Sequence, residues 1–463
     1  MKAPIILLTL LAAPAVMAAD KPNVLFIAVD DLRPSLGCYG VTDVISPNID
    51  RLASEAILFN RAYAQVATCG ASRASLFSGL SPTRDRFKNY LSRIDADVPD
   101  AITLPQVFRE NGYTTISNGK ILHHPDDTAA VSWSEPPFQG NRNRRGSLLK
   151  DSMGSFPDGK KYRVDEAADV DDFAYCDGQV LKKTLEDLQR LKNASTPFFL
   201  GCGFMKPHLP FYAPKKYWDL YDRESLRMPD NLTWQEDLPL KEWFIRKAGE
   251  SRTYFAGDLD EWSEEYYRLL HHGYYACVSY IDSLVGQLLD ELERLDLAED
   301  TIVILWGDHG FQLGERSLTG KHNTLDLSLR VPVILRVPGS RAKGIRSEAL
   351  FSSIDIFPTL VELAGLQQPE QLQGTSFAGI AKDPAAEFRD SVYCRFERAD
   401  TVFTKRYAYT RFAYTRSNED SEMLFNYETD RGERRNVAGR PEFQNALKDL
   451  RKLLDERIQQ AQR

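Results

Sequence analysis

The chain has 463 residues, of which 43% are hydrophobic and 27% charged, and its formal net charge is −8. This is a globular composition without a low-complexity tract or internal repeat, on a length that allows two or three domains. The acidic balance, with no dominant basic face, excludes a general nucleic-acid binder, so an anionic substrate would need a local positive site.

The first residues carry one lysine, an apolar run from Pro4 to Leu11, and small residues ending in Val16-Met17-Ala18. That is the pattern of a cleavable secretory signal, with the cut placed after Ala18. Residues 1–18 are thus expected to leave, and the mature protein to be secreted or periplasmic, one charge more negative without Lys2. The apolar core is shorter than the roughly 20 residues of a membrane span, and no later stretch qualifies, so no membrane span is expected.

Four short apolar or β-rich runs follow: Asn23 to Val29, Thr114 to Ile116, Phe198 to Phe204 and Thr301 to Trp306. Continuous runs of this kind read as strands buried on both faces of a parallel sheet. Helical periods lie between them. Ser46 reads as an N-cap before Pro47, with Ile49, Leu52, Ala53 and Ala56 at helical spacing. Val278, Ile281, Val285, Leu288, Leu292 and Leu295 predict a longer helix that leads into the fourth strand. Beyond about residue 370 the texture changes to aromatic, alternating, hairpin-like segments (YCRFERAD, YAYTRFAYTR, MLFNYETD) and a closing helix from about Pro441. The expected fold is α/β, with a mainly parallel central sheet flanked by helices over residues 19–370. A smaller C-terminal α+β subdomain with an antiparallel sheet is expected over 371–463.

Polar residues follow each predicted strand. Asp30-Asp31 follow the first, Lys120 and His123 the second, Lys206 and His208 the third, and Asp308-His309 the fourth. Ligands of open α/β sheets bind beyond the carboxyl ends of the strands. Each motif alone has a bland reading, since paired aspartates are usually turn formers or caps. Convergence on one edge is what carries them, because the chain has only seven histidines and three fall at these ends. His271-His272 have no strand end or acid nearby and read as structural or surface residues preceding a helix. Cys69 stands apart from Cys38, Cys176, Cys202, Cys277 and Cys394, which are scattered without close pairing and read mostly as buried thiols. It lies four residues before Arg73, one helical turn away on the same side. A helix starting near Ser72 would direct free N–H groups toward the same place, a favourable seat for an anion.

Together these residues resemble the sulfatase family within the alkaline-phosphatase-like superfamily. Cys69-Gly70-Ala71-Ser72-Arg73 fits the family's C-x-A-x-R maturation motif, with Ala71 in place of the commoner proline and Ser78 in place of threonine. Further similarity lies in "VDDLRPSLGCYG", "GKILHHP", "FMKPHLPF", "GDHGFQLGE" and "SSIDIFPTLVELAGL", and the DHG triplet with KPHLPF is closest to the iduronate-2-sulfatase branch. The resemblance implies that a maturation enzyme oxidises Cys69 to formylglycine, whose hydrate attacks sulfur and leaves a covalent sulfate on residue 69. It implies roles for Arg73 in holding the modified side chain, Asp308 in assisting deprotonation, His208 or Lys321 at the leaving alcohol, and His123 as the base that regenerates the aldehyde. Asp30, Asp31, Asp308 and His309, with residue 69, would hold a metal. Three carboxylates and one imidazole favour Ca²⁺ over Zn²⁺, with Mg²⁺ as the alternative. Lys120 and Lys321 are suited to bind sulfate oxygens as fixed cations.

The substrate expected on this resemblance is a sulfated glycan, through exo removal of a 2-O-sulfate from a uronic acid. Gln312 and His322, beside Asp308 and Lys321, are expected to serve specificity together with Lys120, His208 and Lys321. Arg142, Arg144 and Arg145 form a basic loop that reads first as a solvated surface. The competing readings are a sulfatase for another sugar, an aryl or a choline ester, a phosphonate monoester hydrolase or phosphodiesterase, and a silent glycan binder.

Overall fold

The computed structural model describes residues 21–154, 162–247, 249–381, 383, 388–413 and 421–463. The expected signal peptide and the end of YAYTRFAYTR lie outside the described residues, as do the side chains of Arg144 and Arg145. The central sheet has eight strands: β1 (Asn23–Val29), β2 (Ile57–Tyr63), β3 (Thr114–Gly119), β4 (Phe198–Phe204), β5 (Thr301–Gly307), β6 (Arg330–Val331), β7 (Val333–Arg336) and β8 (Ile345–Ser352). Their order is β6-β2-β7-β5-β1-β4-β3, with β8 also paired to β2.

All four strands expected from the sequence are present and run parallel to one another, with β1 held between β4 and β5 and β3 beyond β4. The remainder makes the sheet mixed, since β7 runs antiparallel to both β5 and β2. The chain returns from β5 to β7 through residues 308–332 without a long crossover helix, which a parallel partner would require.

A helix of 31 residues, Glu264–Arg294, crosses the sheet and buries Leu270, Tyr274, Ile281, Val285, Leu288 and Leu292. Ser263 caps it by accepting from the Tyr266 amide at 3.1 Å. The helix starts well before Val278, so His271 and His272 lie inside it and are buried, rather than preceding it. The helix Pro47–Ser54 forms as expected, but Ser46 makes no side-chain cap. Its hydroxyl accepts from Gly37 N at 2.9 Å, while Asp282 of the long helix takes the free amides of Asn48 at 3.0 Å and Ile49 at 2.7 Å.

Four antiparallel strands form the second sheet in sequence order: β9 (Ser391–Phe396), β10 (Ala399–Thr404), β11 (Tyr407–Phe412) and β12 (Ser421–Asn426). Leu447, Leu450 and Leu454 of the closing helix Gln444–Ala461 recur at spacings of three and four and pack on Val402, Tyr409 and Leu424. Each such burial contributes about 1.5–3 kcal/mol. The opposite face packs on the central sheet, where the Tyr63 and Phe403 rings stack with centroids 4.3 Å apart.

Candidate active site

The carboxyl ends of β1, β3, β4 and β5 converge on Cys69. Immediately after β1 the backbone of Asp31 enters the left-handed region, with φ 61°. A non-glycine residue holds that conformation only when its surroundings fix it. The Asp31 amide donates to Asp308 Oδ1 at 3.1 Å, and the Tyr274 hydroxyl donates to the Asp31 carbonyl at 2.8 Å while accepting from Arg33 N at 3.0 Å. Arg33 then ties this turn to the one after β5, through an ion pair with Glu315 at 2.7 Å. At the ends of β3 and β4, Gly119 (φ 75°) and Gly203 pass so closely that a Cβ on Gly203 would lie 2.3 Å from the Lys120 carbonyl carbon. Side chains there would push Lys120 away from the site.

The helix carrying Cys69 runs from Cys69 to Ser78, three residues earlier than expected. Thr68 precedes it without a side-chain cap, which is why the sequence signal was weak. Cys69 is 3% exposed, and its Sγ points into the site. It lies 3.2 Å from His309 Nε2 and 3.5 Å from Lys321 Nζ. Burial, aided by Asp30, pushes the thiol up to about 12, so as a cysteine it is protonated and a poor nucleophile. Arg73 sits among the acids beside residue 69. Its Nε donates to Asp308 Oδ2 at 2.8 Å, its Nη2 lies 3.5 Å from Asp30, and its Nη1 reaches the Lys120 and Ile121 carbonyls. Arg73 therefore orders the acids around the nucleophile position.

Lys120 pairs with Asp30, and Lys321 with Asp31 at 2.6 Å. Burial would raise Asp30, but Lys120, His208 and Arg73 outweigh it and hold that carboxyl well below its usual range. Asp31 goes the other way, because burial outweighs Lys321. Three buried acids thus face three buried bases, and their formal charges cancel.

Ligand atoms of Asp30, Asp31, Cys69 and His309 all lie within 4.8 Å of one another, an arrangement able to hold a metal ion. Asp30 Oδ1 and Asp31 Oδ2 are buried and accept no hydrogen bond, as expected of oxygens reserved for a cation. His309 Nδ1 lies 3.0 Å from the Gly310 carbonyl, which assigns the proton to Nδ1 and leaves the Nε2 lone pair directed toward the cluster. Asp308 sits at the edge, with its Oδ1 3.6 Å from His309 Nε2. A divalent ion added to this balanced set would leave the excess positive charge that a sulfate ester anion requires.

His123 and His208 flank the cluster. Burial, then Lys120, drives His123 down to about 2, so the imidazole is neutral. His208 Nδ1 lies 2.6 Å from the Leu209 carbonyl, and its loop is anchored by Asp177, which accepts from Met205 N at 2.6 Å and Lys206 N at 3.2 Å. Gln312 is fully buried, and its amide donates to Asn323 at 3.2 Å and Ser328 at 3.0 Å, which orders the segment carrying Lys321. His322 is half-buried and stacks on Phe396 of the second sheet, with centroids 5.6 Å apart. Arg142 is half-buried as well and donates to Gln139 at 2.8 Å.

Sequence reasoning missed Tyr274, Arg33 and Glu315, whose contacts span more than 240 residues and leave no local pattern. A nucleophile position between paired acids and lysines, with a neutral histidine beside it, defines a hydrolase of anionic esters. The sulfatase family model matches residues 22–366, and a model for the C-terminal region of N-sulphoglucosamine sulphohydrolase matches residues 314–460. The chain is 36% identical over 406 residues to iduronate 2-sulfatase of Mus musculus, covering 79% of this chain and 73% of that protein. A solved 2-O GAG sulfatase superposes with a TM-score of 0.73 at 25% identity, covering 96% and 93% of the two chains. Phosphonate monoester hydrolase of Agrobacterium radiobacter superposes at 0.77 with 22% identity, covering 95% and 96%, a likeness of fold alone. The protein belongs to the sulfatase family, in the alkaline-phosphatase-like superfamily, and is a sulfuric ester hydrolase. Among the described residues no helix is long and apolar enough to cross a membrane.

Proposed function

We propose that the protein is an exo-acting sulfatase that removes a 2-O-sulfate from a uronic-acid-containing glycan, with residue 69 matured to formylglycine and Ca²⁺ as the metal. The observation that carries this reading is the enclosure of the residue 69 side chain by Asp30, Asp31, His309 and Lys321. The 36% identity to a protein named iduronate 2-sulfatase supports the choice of sugar.

Asp30, Asp31, Asp308 and His309 would hold the ion, and their mostly oxygen donors suit Ca²⁺ better than Zn²⁺. Formylglycine and the ion, when present, supply a hydrated aldehyde oxygen as nucleophile and a cationic seat for the ester. Lys120 and Lys321, which pair with Asp30 and Asp31, would bind the non-bridging sulfate oxygens. Arg73 keeps Asp308 oriented, and Asp308 assists deprotonation of the attacking group. His208 or Lys321 stabilises the departing alcohol, and neutral His123 accepts the later proton. In this reading residues 1–18 direct export to the periplasm or medium, 19–370 form the catalytic domain, and 371–463 the smaller one. A sulfatase-maturation enzyme is the required partner.

Two measurements test it together. A mass spectrum of the peptide bearing residue 69, from protein made in a host with that maturation activity, is expected to show the aldehyde. Sulfate release from 2-O-sulfated uronate disaccharides is expected to exceed release from 6-O- or N-sulfated glucosamine, aryl sulfate, choline sulfate or matched phosphate esters. Unmodified thiol in active protein overturns the mechanism; a preference for another ester overturns the substrate.

A further inference from the structure

Tyr90 and Leu91 are 55% and 59% exposed, the two most exposed of the large hydrophobic side chains among the described residues. Single exposed apolar residues need no explanation. These two differ because their place is fixed against the catalytic residues. A Cβ on Gly70, the residue after Cys69, would lie 2.2 Å from the Tyr90 carbonyl oxygen and 2.8 Å from its Cα, so the first turn of the Cys69 helix packs directly on the Tyr90 backbone. On the other side, His124 Nε2 lies 3.2 Å from that same carbonyl oxygen. The loop is pinned further by Asn89 Oδ1, which accepts from Leu91 N at 2.8 Å, and by Asp127, which accepts from Ile94 N at 2.9 Å and Asp95 N at 3.0 Å. The Tyr90 ring itself stands 6.2 Å from the ring of His123, tilted by 59°. A rigid backbone thus presents an exposed aromatic face next to the base of the site.

We propose that Tyr90 is a platform on which a sugar ring of the substrate stacks, with Leu91 widening the apolar surface. This rests on the glycan reading above. A pyranose presents a face of C–H groups that matches an aromatic ring, and a tyrosine loses little conformational freedom in binding it. The platform holds the sugar, while the charged cluster holds the sulfate, so their contributions separate kinetically.

The test uses matured full-length enzyme with a 2-O-sulfated uronate disaccharide, and inorganic sulfate as a competitive inhibitor. Tyr90→Ala is expected to raise KM for the disaccharide about tenfold and to change the inhibition constant of inorganic sulfate less than about twofold, whereas Tyr90→Phe stays close to wild type. An unchanged KM in Tyr90→Ala, with the wild type active on the disaccharide, overturns the platform and leaves the glycan reading intact. Equal weakening of disaccharide and inorganic sulfate overturns it too, because the ring then merely supports the site. A wild type that hydrolyses aryl sulfate and no sulfated glycan overturns both.

Discussion

Two of the buried knots of charge among the described residues stand in contrast, one at the carboxyl ends of β1, β3, β4 and β5 and one between the two sheets. In the second, Asp326 accepts from Tyr63 at 3.2 Å and Arg330 at 2.8 Å, while Glu433 accepts from Tyr427 and from the Asp326 amide, both at 2.9 Å. Every carboxylate oxygen there is satisfied, and the knot fastens the C-terminal strands to the segment behind Lys321. The first knot leaves Asp30 Oδ1 and Asp31 Oδ2 without hydrogen bonds, and both acids lie in the cluster around Cys69. Buried charge therefore does not by itself make a site. Acceptors left open around a reactive atom do, at an energetic cost that a bound ion and substrate offset.

The sharpest way to break this distinction is to remove the reactive atom. Cys69→Ala is expected to lower sulfate release by at least about three orders of magnitude, whereas Glu433→Gln in the other knot changes it by less than about threefold, both read as initial rates against matured wild type. His123→Ala comes next, with kcat reduced by about 10²–10⁴ and the unfolding midpoint little changed. Tyr274→Phe removes the hydroxyl that fixes the Asp31 turn and is expected to weaken Ca²⁺ binding about 10–100-fold by calorimetry, an effect no substitution at the second knot should reproduce.

The smallest effect concerns pH. Burial and then Asp326, against Arg316, push the Glu433 carboxyl from 4.5 up to about 7. The folded state then binds a proton that the unfolded state has lost, so this group's contribution to stability is present at low pH and declines as pH rises from about 4.5 to about 7. Urea unfolding of wild type across that range should show the decline, and Glu433→Gln should flatten it.

The strands that build the site were legible because each is a short apolar or β-rich run that leads into acids, lysines or histidine. The start of the Cys69 helix was not, because Thr68 offers no cap and Gly70-Ala71-Ser72 has no hydrophobic period. What Gln312 touches was not legible either, because nearness in sequence to Asp308 says nothing about direction. It pairs with Gly320 in a short antiparallel ladder, and its side chain is turned inward. His271 and His272 were placed outside the helix because their polarity hid a stretch that packs on all sides. The tyrosine that holds Asp31 and the glutamate that joins the sheets act over 243 and 107 residues, distances at which local pattern carries no signal.

The depth of Cys69 also sets a clock. Lys321, which closes over it, lies 252 residues further along the chain. Ribosomes add about 5–20 residues per second, so the thiol remains uncovered for on the order of 10–50 s after it is made. Once the pocket has formed, an enzyme has no path to a side chain that is 3% exposed. Any catalyst that rewrites residue 69 must then win a race against folding, and slowing translation between Cys69 and Lys321 should raise the fraction converted.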